Sequence, residues 1–349
     1  MVRIGIVGIG FMGMTHYNAA KKVRGGRVTA ICTRNPEKLA GDWTGIQGNF
    51  GPRGGHEDLS KVKQYSNIDD LVADSEVDLV DICLPTALHK SVTLKALKAG
   101  KHVLLEKPIS IKPSDATQLV NAAKRAGKYF MVAHVLPFFP EFEFVKKTVD
   151  GGKYGRLLGG HFKRIISKPD WSPELVDLSK SGGHGIDLHI HDTHFIQLLC
   201  GMPDAVYSQG IMAGGDYLQY VTTQYIYDDK DLIISCSSGG ISQPGRAFTH
   251  GFEVYLENAT LLYEFATLGG QPSLQPVTLI DSKGKVTQPK MKSDDPIDAF
   301  VGEVKYAVDA INKGTDPVAL SGEGAKAALD LCWHEAKSVK TGRVVRLRK

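Results

Sequence analysis

The chain has 349 residues, 42% of them hydrophobic and 23% charged, which is enough for a sizeable core divided between two domains. The net charge of +4 arises from interspersed charges, and no apolar run approaches the ~18 residues of a membrane span, so neither nucleic acid nor a membrane is an expected partner. The five cysteines lie far apart without a C-x-x-C pair, and no signal peptide is visible, which favours a cytoplasmic protein with reduced thiols.

The first predicted strand and helix are joined by Gly8-x-Gly10-x-x-Gly13. This strand–turn–helix context is typical of a dinucleotide-binding site. In such a site Gly8 permits the tight turn, Gly10 lets a pyrophosphate approach the backbone, and Gly13 lets helix and strand pack closely. The helix directs its N-terminal amides at the phosphates, so Phe11 and Met12 are also expected at the cofactor. The alternative is a glycine-rich turn that binds no ligand.

Strand-like and helix-like segments alternate from the start of the chain to about residue 135. Such alternation predicts parallel βαβ units with right-handed crossovers, and therefore an α/β Rossmann domain over residues 1–135. The predicted strands occupy residues 4–7, 28–32, 62–65, 79–84, 102–106 and 129–133. The predicted helices occupy residues 14–22, 68–73, 89–99 and 114–126.

From residue 136 to residue 349 the pattern changes, because several strand-like segments follow one another without helices. This predicts an α+β domain with a large, mainly antiparallel open sheet that binds substrate and mediates oligomerisation. An open, partly apolar sheet face predicts a homodimer or a homotetramer. The predicted strands occupy residues 157–166, 205–212, 220–227, 232–237, 251–257 and 261–264. The predicted helices occupy residues 136–149, 187–200, 297–312 and 323–340, and the C-terminal ones could pack back on the first domain.

The end of the second predicted strand bears on the choice of cofactor. An acid about 20 residues beyond the glycines usually binds the ribose 2′-hydroxyl, but this position holds Thr33, followed by Arg34. A hydroxyl and a planar cation suit a 2′-phosphate, which a carboxylate would repel. We therefore expect NADP(H) to be favoured over NAD(H). In the alternative, Arg34 faces solvent and Asn35 or Glu37 serves the ribose.

Glu106-Lys107-Pro108 follows the fifth predicted strand. The carboxyl ends of parallel strands border the ligand crevice of such folds, and a lysine there can stabilise a developing alkoxide through its charge. Pro108 restricts Lys107 to extended geometry. By itself, a Lys-Pro pair after a strand is more often a turn than a catalytic element.

Four histidines fall within residues 184–194. If a helix starts near Asp187, then Asp187, His191 and His194 share one face at i, i+4 and i+7. A carboxylate and an imidazole presented together suit general acid–base catalysis near neutral pH. The alternatives are a helix start capped by Asp187 with structural histidines, and a zinc site. Zinc is disfavoured because His189 points away from the shared face, so no metal is expected.

These motifs together resemble the glucose–fructose oxidoreductase / inositol 2-dehydrogenase (Gfo/Idh/MocA) family over essentially the whole chain. The resemblance rests on the glycine turn, on Leu84-Pro85-Thr86-x-x-His89, on the segment from Ala96 to Pro108, and on Gly182-Gly183 followed by Asp187-x-x-x-His191-Asp192. It implies a Rossmann domain plus a C-terminal α/β domain whose open sheet commonly mediates dimers or tetramers. It also implies hydride transfer to or from a hydroxyl or carbonyl of a sugar, cyclitol or related polyol.

By position, the resemblance implies that Lys107 hydrogen-bonds the reacting oxygen and that His191 exchanges the proton of this oxygen. Asp187 is implied to orient the substrate and the lysine. Candidate substrate contacts are His134, Arg164 and Trp171, although a loop tryptophan is as often a packing anchor as a stacking platform for a sugar ring. The cofactor contacts implied beyond the glycine turn, Thr33 and Arg34 are Leu84, Pro85, Thr86, His89, Glu106, Lys107 and Pro108.

Two other functions are compatible with this resemblance. One is an NAD-dependent glycosidase of the same fold, which needs tightly held NAD and is disfavoured by Thr33 and Arg34. The other is a non-catalytic, cofactor-binding sensor, which is disfavoured by the presence of Lys107, Asp187 and His191.

Overall fold

The computed structural model describes residues 1–48, 51–167 and 178–347. The chain forms two compact units, of which the first consists of Met1–Phe139 and Ser293–Lys326. The second consists of Pro140–Lys292 and the chain from Ala327 onwards. The sequence predicted a single boundary near residue 135, whereas the chain leaves the first unit and later returns to it.

The first unit is built on a six-stranded sheet in which all strand pairs are parallel. The strand order is β3-β2-β1-β4-β5-β6, which is the doubly wound arrangement. β4 and β6 are buried along their whole length, as expected of strands covered on both faces. The predicted Rossmann fold is therefore confirmed. The strands are β1 Val2–Val7, β2 Gly26–Cys32, β3 Lys63–Tyr65, β4 Leu79–Ile82, β5 His102–Glu106 and β6 Phe130–Ala133.

Some helices of the first unit bury one stripe of small or apolar side chains. In α5, which begins at Pro113 and ends before Gly127 in the left-handed region (φ +61°), the buried stripe recurs at three- and four-residue spacing. The N-terminal helices are α1 Phe11–Lys21, α2 Pro36–Leu39, α3 Ile68–Ala73, α4 Thr86–Lys98 and α5 Pro113–Ala126. Short 3₁₀ turns lie at Leu136–Phe138 and Val318–Leu320.

A late helix, α10 (Ile297–Lys313), explains why the chain returns to the first unit. Its buried residues Phe300, Val304, Ala307 and Val308 recur at i, i+4, i+7 and i+8, so they form one stripe. This stripe belongs to the same core as β1 and α1, and α10 packs directly against α1. The Rossmann core is therefore completed by residues far from it in sequence.

The second unit contains a nine-stranded sheet of order β14-β13-β12-β11-β7-β10-β9-β8-β15. β7 and β10 are parallel and the remaining pairs are antiparallel, which confirms the predicted, mainly antiparallel sheet. Its central strands are β7 Leu157–Ser167, β8 Ala205–Gly214, β9 Tyr217–Ile226, β10 Ile233–Ser242, β11 Arg246–Leu256 and β12 Ala259–Leu268. The strands that the sequence patterns did not predict are β13 Gln271–Asp281, β14 Val286–Thr287 and β15 Val345–Arg346.

The helix predicted at residues 187–200 is in fact two helices. α8 (His184–Asp187) ends at Asp187, and α9 (Ile190–Cys200) begins two residues after Leu188. Asp187 is therefore the last residue of α8 and not the first residue of the helix that carries His191. The other helices of this part of the chain are α6 Pro140–Asp150, α7 Leu178–Ser181 and α11 Gly322–Thr341.

One face of the second sheet exposes apolar side chains. The register places Ile233 of β10 and Tyr255 of β11 beside Gly159 of β7, so both side chains lie on the same face. Ile233 is 57% exposed and Tyr255 is 42% exposed. By the same pairing rule, Ile211 and Ile226 belong to this face, and both are exposed. Ile241, at the register shift near the end of β10, is also exposed. We call Ile211, Ile226, Ile233 and Tyr255 the open apolar face.

Candidate functional site

The glycine turn between β1 and α1 has the geometry that a bound pyrophosphate requires. Gly8 adopts φ +93°, and a Cβ there would lie 2.6 Å from the carbonyl oxygen of Cys83. A Cβ on Gly13 would lie 1.9 Å from the carbonyl oxygen of Gly8. At Gly10, by contrast, a Cβ would meet no atom within 4 Å, so a ligand has room to approach the backbone. The residues present therefore fit a dinucleotide, and Phe11 opens the helix at this point.

The segment that follows β2 brings the ammonium group of Lys38 to the glycine turn. Arg34 is exposed, and Thr33 accepts a hydrogen bond through Oγ1 from the amide of Asn35. The ammonium of Lys38 donates to the carbonyl oxygen of Ile9 at 2.7 Å, inside the glycine turn itself. Sequence reasoning missed Lys38, although Asn35-Pro36 is a recognisable helix start that turns the chain back.

The segments that follow β4 and β5 are held together by His89. Its Nδ1 lies 2.8 Å from the carbonyl oxygen of Pro108, and its Nε2 lies 2.7 Å from that of Leu84. The imidazole is only 1% exposed, and this burial lowers its pKa. In the segment that follows β4, Pro85 is exposed and Thr86, the first residue of α4, is partly buried, so both side chains are accessible. The predicted cofactor contact of His89 stays a prediction, and its observed contacts brace the two turns.

Glu106 and Lys107 lie at the carboxyl end of β5, as predicted. Lys107 is half-buried, and its backbone amide donates to Oε2 of Glu106 at 3.0 Å. The Lys107–Pro108 peptide bond is cis. The carboxylate of Glu106 is thus directly involved in holding the backbone from which the lysine side chain extends.

A buried ionic cluster lies behind this strand end, and sequence reasoning missed it. His16 of α1 is fully buried, with Nδ1 at 3.0 Å from Asp81 and Nε2 at 3.0 Å from Oε1 of Glu106. Oε2 of Glu303, on α10, lies 3.7 Å from the same Nε2. We call these four residues the His16 cluster. Burial alone would lower the pKa of His16, but the charge and the hydrogen bond of Asp81 outweigh burial and hold this pKa well above 6.5.

The second unit presents Asp187 and His191, both half-buried, on either side of the break between α8 and α9. His189 fixes the break on its buried side. Its Nε2 lies 2.8 Å from a carboxylate oxygen of Glu335, and both residues are fully buried. His194 is also buried, and burial lowers its pKa to about 4. His189, His191 and His194 therefore have different environments, and of these three His191 is the one that is partly accessible.

The predicted substrate contacts differ in where the structure places them. Arg164 is only 6% exposed, and its guanidinium pairs with Asp192 at 2.7 Å and 3.2 Å, next to His191 in sequence. His134 is fully buried after β6. Trp171 lies outside the described residues. Arg164 is therefore placed to hold the start of α9, and its contact with substrate stays a prediction.

Within the described residues, one group of side chains has the spacing of a metal site. The ligand atoms of His16, Asp81 and Cys83 lie within 4.8 Å of one another. The thiol of Cys83 donates to Asp81 at 3.6 Å, and burial raises its pKa, so it is a thiol rather than a thiolate ligand.

Among the described helices, none has the length and apolar character needed to cross a membrane.

A parallel sheet with an open glycine turn between its first strand and first helix defines a dinucleotide-binding α/β protein. Residues 2–134 match the model of the family described as "Oxidoreductase family, NAD-binding Rossmann fold", GFO_IDH_MocA. This match over residues 2–134 agrees with the resemblance found in the motifs of the chain.

Individual relatives agree with this assignment. An "Uncharacterized oxidoreductase" of Streptococcus pneumoniae is 31% identical over 67% of this chain, which spans 58% of that relative's length. The myo-inositol 2-dehydrogenase of Thermotoga maritima is 25% identical over 100% of this chain and 99% of its own length. The solved structure of aldose-aldose oxidoreductase from Caulobacter crescentus, complexed with glycerol, has a TM-score of 0.76 at 20% identity, covers 99% of both chains, and shows the shared fold.

Proposed function

We propose that this protein transfers a hydride between a nicotinamide dinucleotide and a hydroxyl or carbonyl carbon of a sugar, cyclitol or related polyol. The observation that carries the proposal is the glycine turn, where Gly8 and Gly13 are closely packed while Gly10 faces open space. The myo-inositol 2-dehydrogenase relative, which aligns over the whole chain, supports the substrate class.

The nicotinamide, when bound, accepts or supplies the hydride, and the protein positions the reacting groups. Lys107 donates a hydrogen bond to the reacting oxygen and stabilises its developing negative charge. His191 accepts the proton of this oxygen during oxidation and returns it during reduction. Asp187 orients the substrate. The half-buried state of all three side chains suits these roles, because each is partly shielded from water and still reachable.

Turnover of single variants tests this assignment. We expect Lys107→Ala and His191→Ala each to reduce turnover about a hundredfold or more, which is the usual scale for a lost electrostatic or proton-transfer contribution. Dinucleotide binding, measured by calorimetry, should survive in the His191 variant. The measurement is nicotinamide absorbance across a panel of sugars and cyclitols. Turnover in both variants within threefold of the parent would place the chemistry elsewhere.

We propose that NADP(H) binds more tightly than NAD(H). Thr33 offers a hydroxyl, Arg34 an exposed guanidinium, and Lys38 an ammonium already at the glycine turn. A ribose 2′-phosphate could replace the Ile9 carbonyl as the partner of Lys38, and a charge-assisted contact of this kind is stronger than a neutral one.

Calorimetric titration with NADPH and NADH at equal ionic strength tests the cofactor preference. We expect Arg34→Ala and Lys38→Ala to weaken NADPH binding about tenfold each while changing NADH binding less than threefold. Lys98→Ala, which removes an exposed lysine at the end of α4, is the matched control for net charge. Tighter binding of NADH by the parent protein would refute the preference.

We further propose that the protein forms a homodimer or homotetramer through the open apolar face. Four exposed apolar side chains on one sheet face are more than scattered surface residues, and burying them would stabilise an assembly. Light scattering should show that Ile233→Lys lowers the molecular mass in solution. Val318→Lys, at an exposed apolar position of the first unit, should not do so. An unchanged mass for Ile233→Lys would contradict this interface.

Product analysis distinguishes the proposed activity from the two other functions compatible with the resemblance. Release of an aglycone without net change in nicotinamide absorbance would indicate a glycosidase. Tight dinucleotide binding without turnover of any sugar or cyclitol would indicate a sensor.

A further inference from the structure

We propose that His16 is a positioning residue that, as an imidazolium between Asp81 and Glu106, fixes the Glu106 carboxylate on the backbone amide of Lys107. In this way the fully buried charge of His16 holds the carboxyl end of β5, which Lys107 directly follows. The part of this inference that concerns turnover rests on the proposed function, whereas the part that concerns the protonation and hydrogen bonding of the cluster does not.

Each carboxylate oxygen of Glu106 has a defined neighbour. Its Oε1 lies 3.0 Å from Nε2 of His16, and its Oε2 accepts from the amide of Lys107 at 3.0 Å. A carboxylate held at both oxygens cannot rotate without losing one contact. The position of the Lys107 backbone is therefore coupled to the position of the His16 ring.

The other nitrogen of His16 fixes the ring itself. Nδ1 lies 3.0 Å from each oxygen of Asp81, which is only 1% exposed on β4. Nδ1 is hydrogen-bonded to Asp81, and Nε2 lies at ion-pair distance from Glu106 without forming a hydrogen bond. A neutral imidazole has one N–H and would leave one of the two carboxylates facing a lone pair. The two ion-pair distances therefore favour the doubly protonated ring, whose positive charge attracts both carboxylates.

Glu303 and Cys83 complete the surroundings of the ring. Burial raises the pKa of Glu303 well above 4.5 and so favours the neutral form of this carboxyl. The thiol of Cys83 donates to Asp81. Phe300, the remaining aromatic neighbour, has its ring centroid 6.2 Å from that of His16. The ring of His16 is therefore surrounded by Asp81, Glu106, the carboxyl group of Glu303 and the thiol of Cys83.

Stability alone does not account for such a cluster. Replacing buried ionic groups by well-packed apolar ones is often neutral or stabilising, so burying them is weak evidence for a stabilising role. The placement of the members is more informative. His16 belongs to the helix that opens at the glycine turn, and Glu106 directly precedes Lys107. The His16 cluster thus joins the phosphate-binding helix to the strand end that carries the lysine.

Magnetic resonance tests the protonation and the contact without any substrate. With isotope-labelled histidine, two protonated ring nitrogens assigned to His16 should persist at about pH 8, above the ordinary histidine pKa. The amide of Lys107 should be protected from hydrogen exchange in the parent and in His16→Gln, and should lose protection in His16→Asn. The amide nitrogen of glutamine reaches the position of Nε2, whereas that of the shorter asparagine reaches only Nδ1.

Turnover tests the positioning role with the same pair of variants. We expect His16→Asn to lower kcat about tenfold or more, since small displacements of a reacting group are costly, and His16→Gln to stay within threefold of the parent. The dinucleotide Kd should change less than threefold in both. His102→Asn, which alters a partly buried histidine at the opposite end of β5, should leave kcat unchanged. In a Lys107→Ala background, His16→Asn should cause no further loss.

The outcomes separate the two proposals. A singly protonated His16 at pH 8, equal loss of kcat in the Gln and Asn variants, or a stoichiometric metal ion in the purified protein would each overturn this inference. If no substrate is turned over by the parent protein, the proposed function fails. The ring protonation and the protection of the Lys107 amide then still decide whether His16 positions this backbone.

Discussion

Glu303 shows how a single buried acid sets the pH dependence of stability. It is fully buried beside His16, and burial raises its folded-state pKa well above the value of 4.5 that it has when exposed. Folding therefore takes up a proton at any pH between these two values. Its contribution to stability is fully present below about pH 4.5 and is lost as the pH rises towards the folded-state value.

We expect Glu303→Gln to raise the free energy of unfolding at neutral and alkaline pH, because glutamine has the shape of the neutral acid and needs no proton. At about pH 4 the variant should be no more stable than the parent protein. Urea unfolding at a series of pH values measures both free energies. A difference that does not vary with pH would show that Glu303 is ionised in the folded protein.

Substitutions at Gly13 and at Gly10 should have opposite effects on stability and on binding. Gly13→Ala places a Cβ 1.9 Å from the Gly8 carbonyl oxygen, so we expect a loss of stability of about 1–3 kcal/mol or more. Gly10→Val meets open space and should change stability little, yet it should abolish dinucleotide binding by filling the approach to the backbone. Thermal unfolding and calorimetry on both variants check this contrast, and retained binding in a folded Gly10→Val protein would contradict it.

At the scale of elements, the start of α9 depends on the buried pair between Arg164 of β7 and Asp192. Both side chains are nearly or fully buried, with exposures of 7% and 0%. Removing one partner leaves an uncompensated charge in the interior, which usually costs about 3–5 kcal/mol. Because Asp192 adjoins His191, this pair also anchors the turn of α9 on which His191 lies.

We expect Asp192→Ala to destabilise the protein by about 3–5 kcal/mol, whereas the double variant Arg164→Leu/Asp192→Leu should recover much of this loss. Unfolding in urea gives the stability, and turnover reports the position of His191. Additive losses in the double variant would show that the two side chains act independently.

Elements whose structure depends on nearby residues were predictable from the sequence, and elements that depend on distant partners were not. The roles of Gly8, Gly10 and Gly13 follow from sterics within a few residues. The break between α8 and α9 was not predictable, because it depends on the burial of His189 against Glu335. β13 was missed because Pro272 and Pro276 argue against a strand, although prolines are tolerated near the edge of a sheet.

The same distinction applies to the candidate site. Lys107 was predictable because the end of a buried parallel strand is visible in the sequence. The His16 cluster was not, since its four members come from two helices and two strands that no local pattern connects.

At the scale of the whole molecule, the first unit depends on residues 293–326. We expect a fragment of residues 1–139 to be unstable, because it lacks the stripe of α10 that contributes to the core shared with β1 and α1. Hydrogen exchange should show little protection of α1 in the fragment. Addition of a peptide spanning residues 293–326 should restore protection, and a fragment that is fully protected alone would contradict the dependence.

The return of the chain to its first unit also has a consequence for biosynthesis. A ribosome that adds about 5–20 residues per second needs roughly 10–40 s to proceed from Phe139 to Lys326, an interval of 326 − 139 = 187 residues. During this time the nascent N-terminal sheet lacks the helix that covers part of its core, so apolar surface on α1 stays open to chaperones and to other nascent chains. The order of synthesis therefore delays completion of the first unit until almost the whole chain has been made.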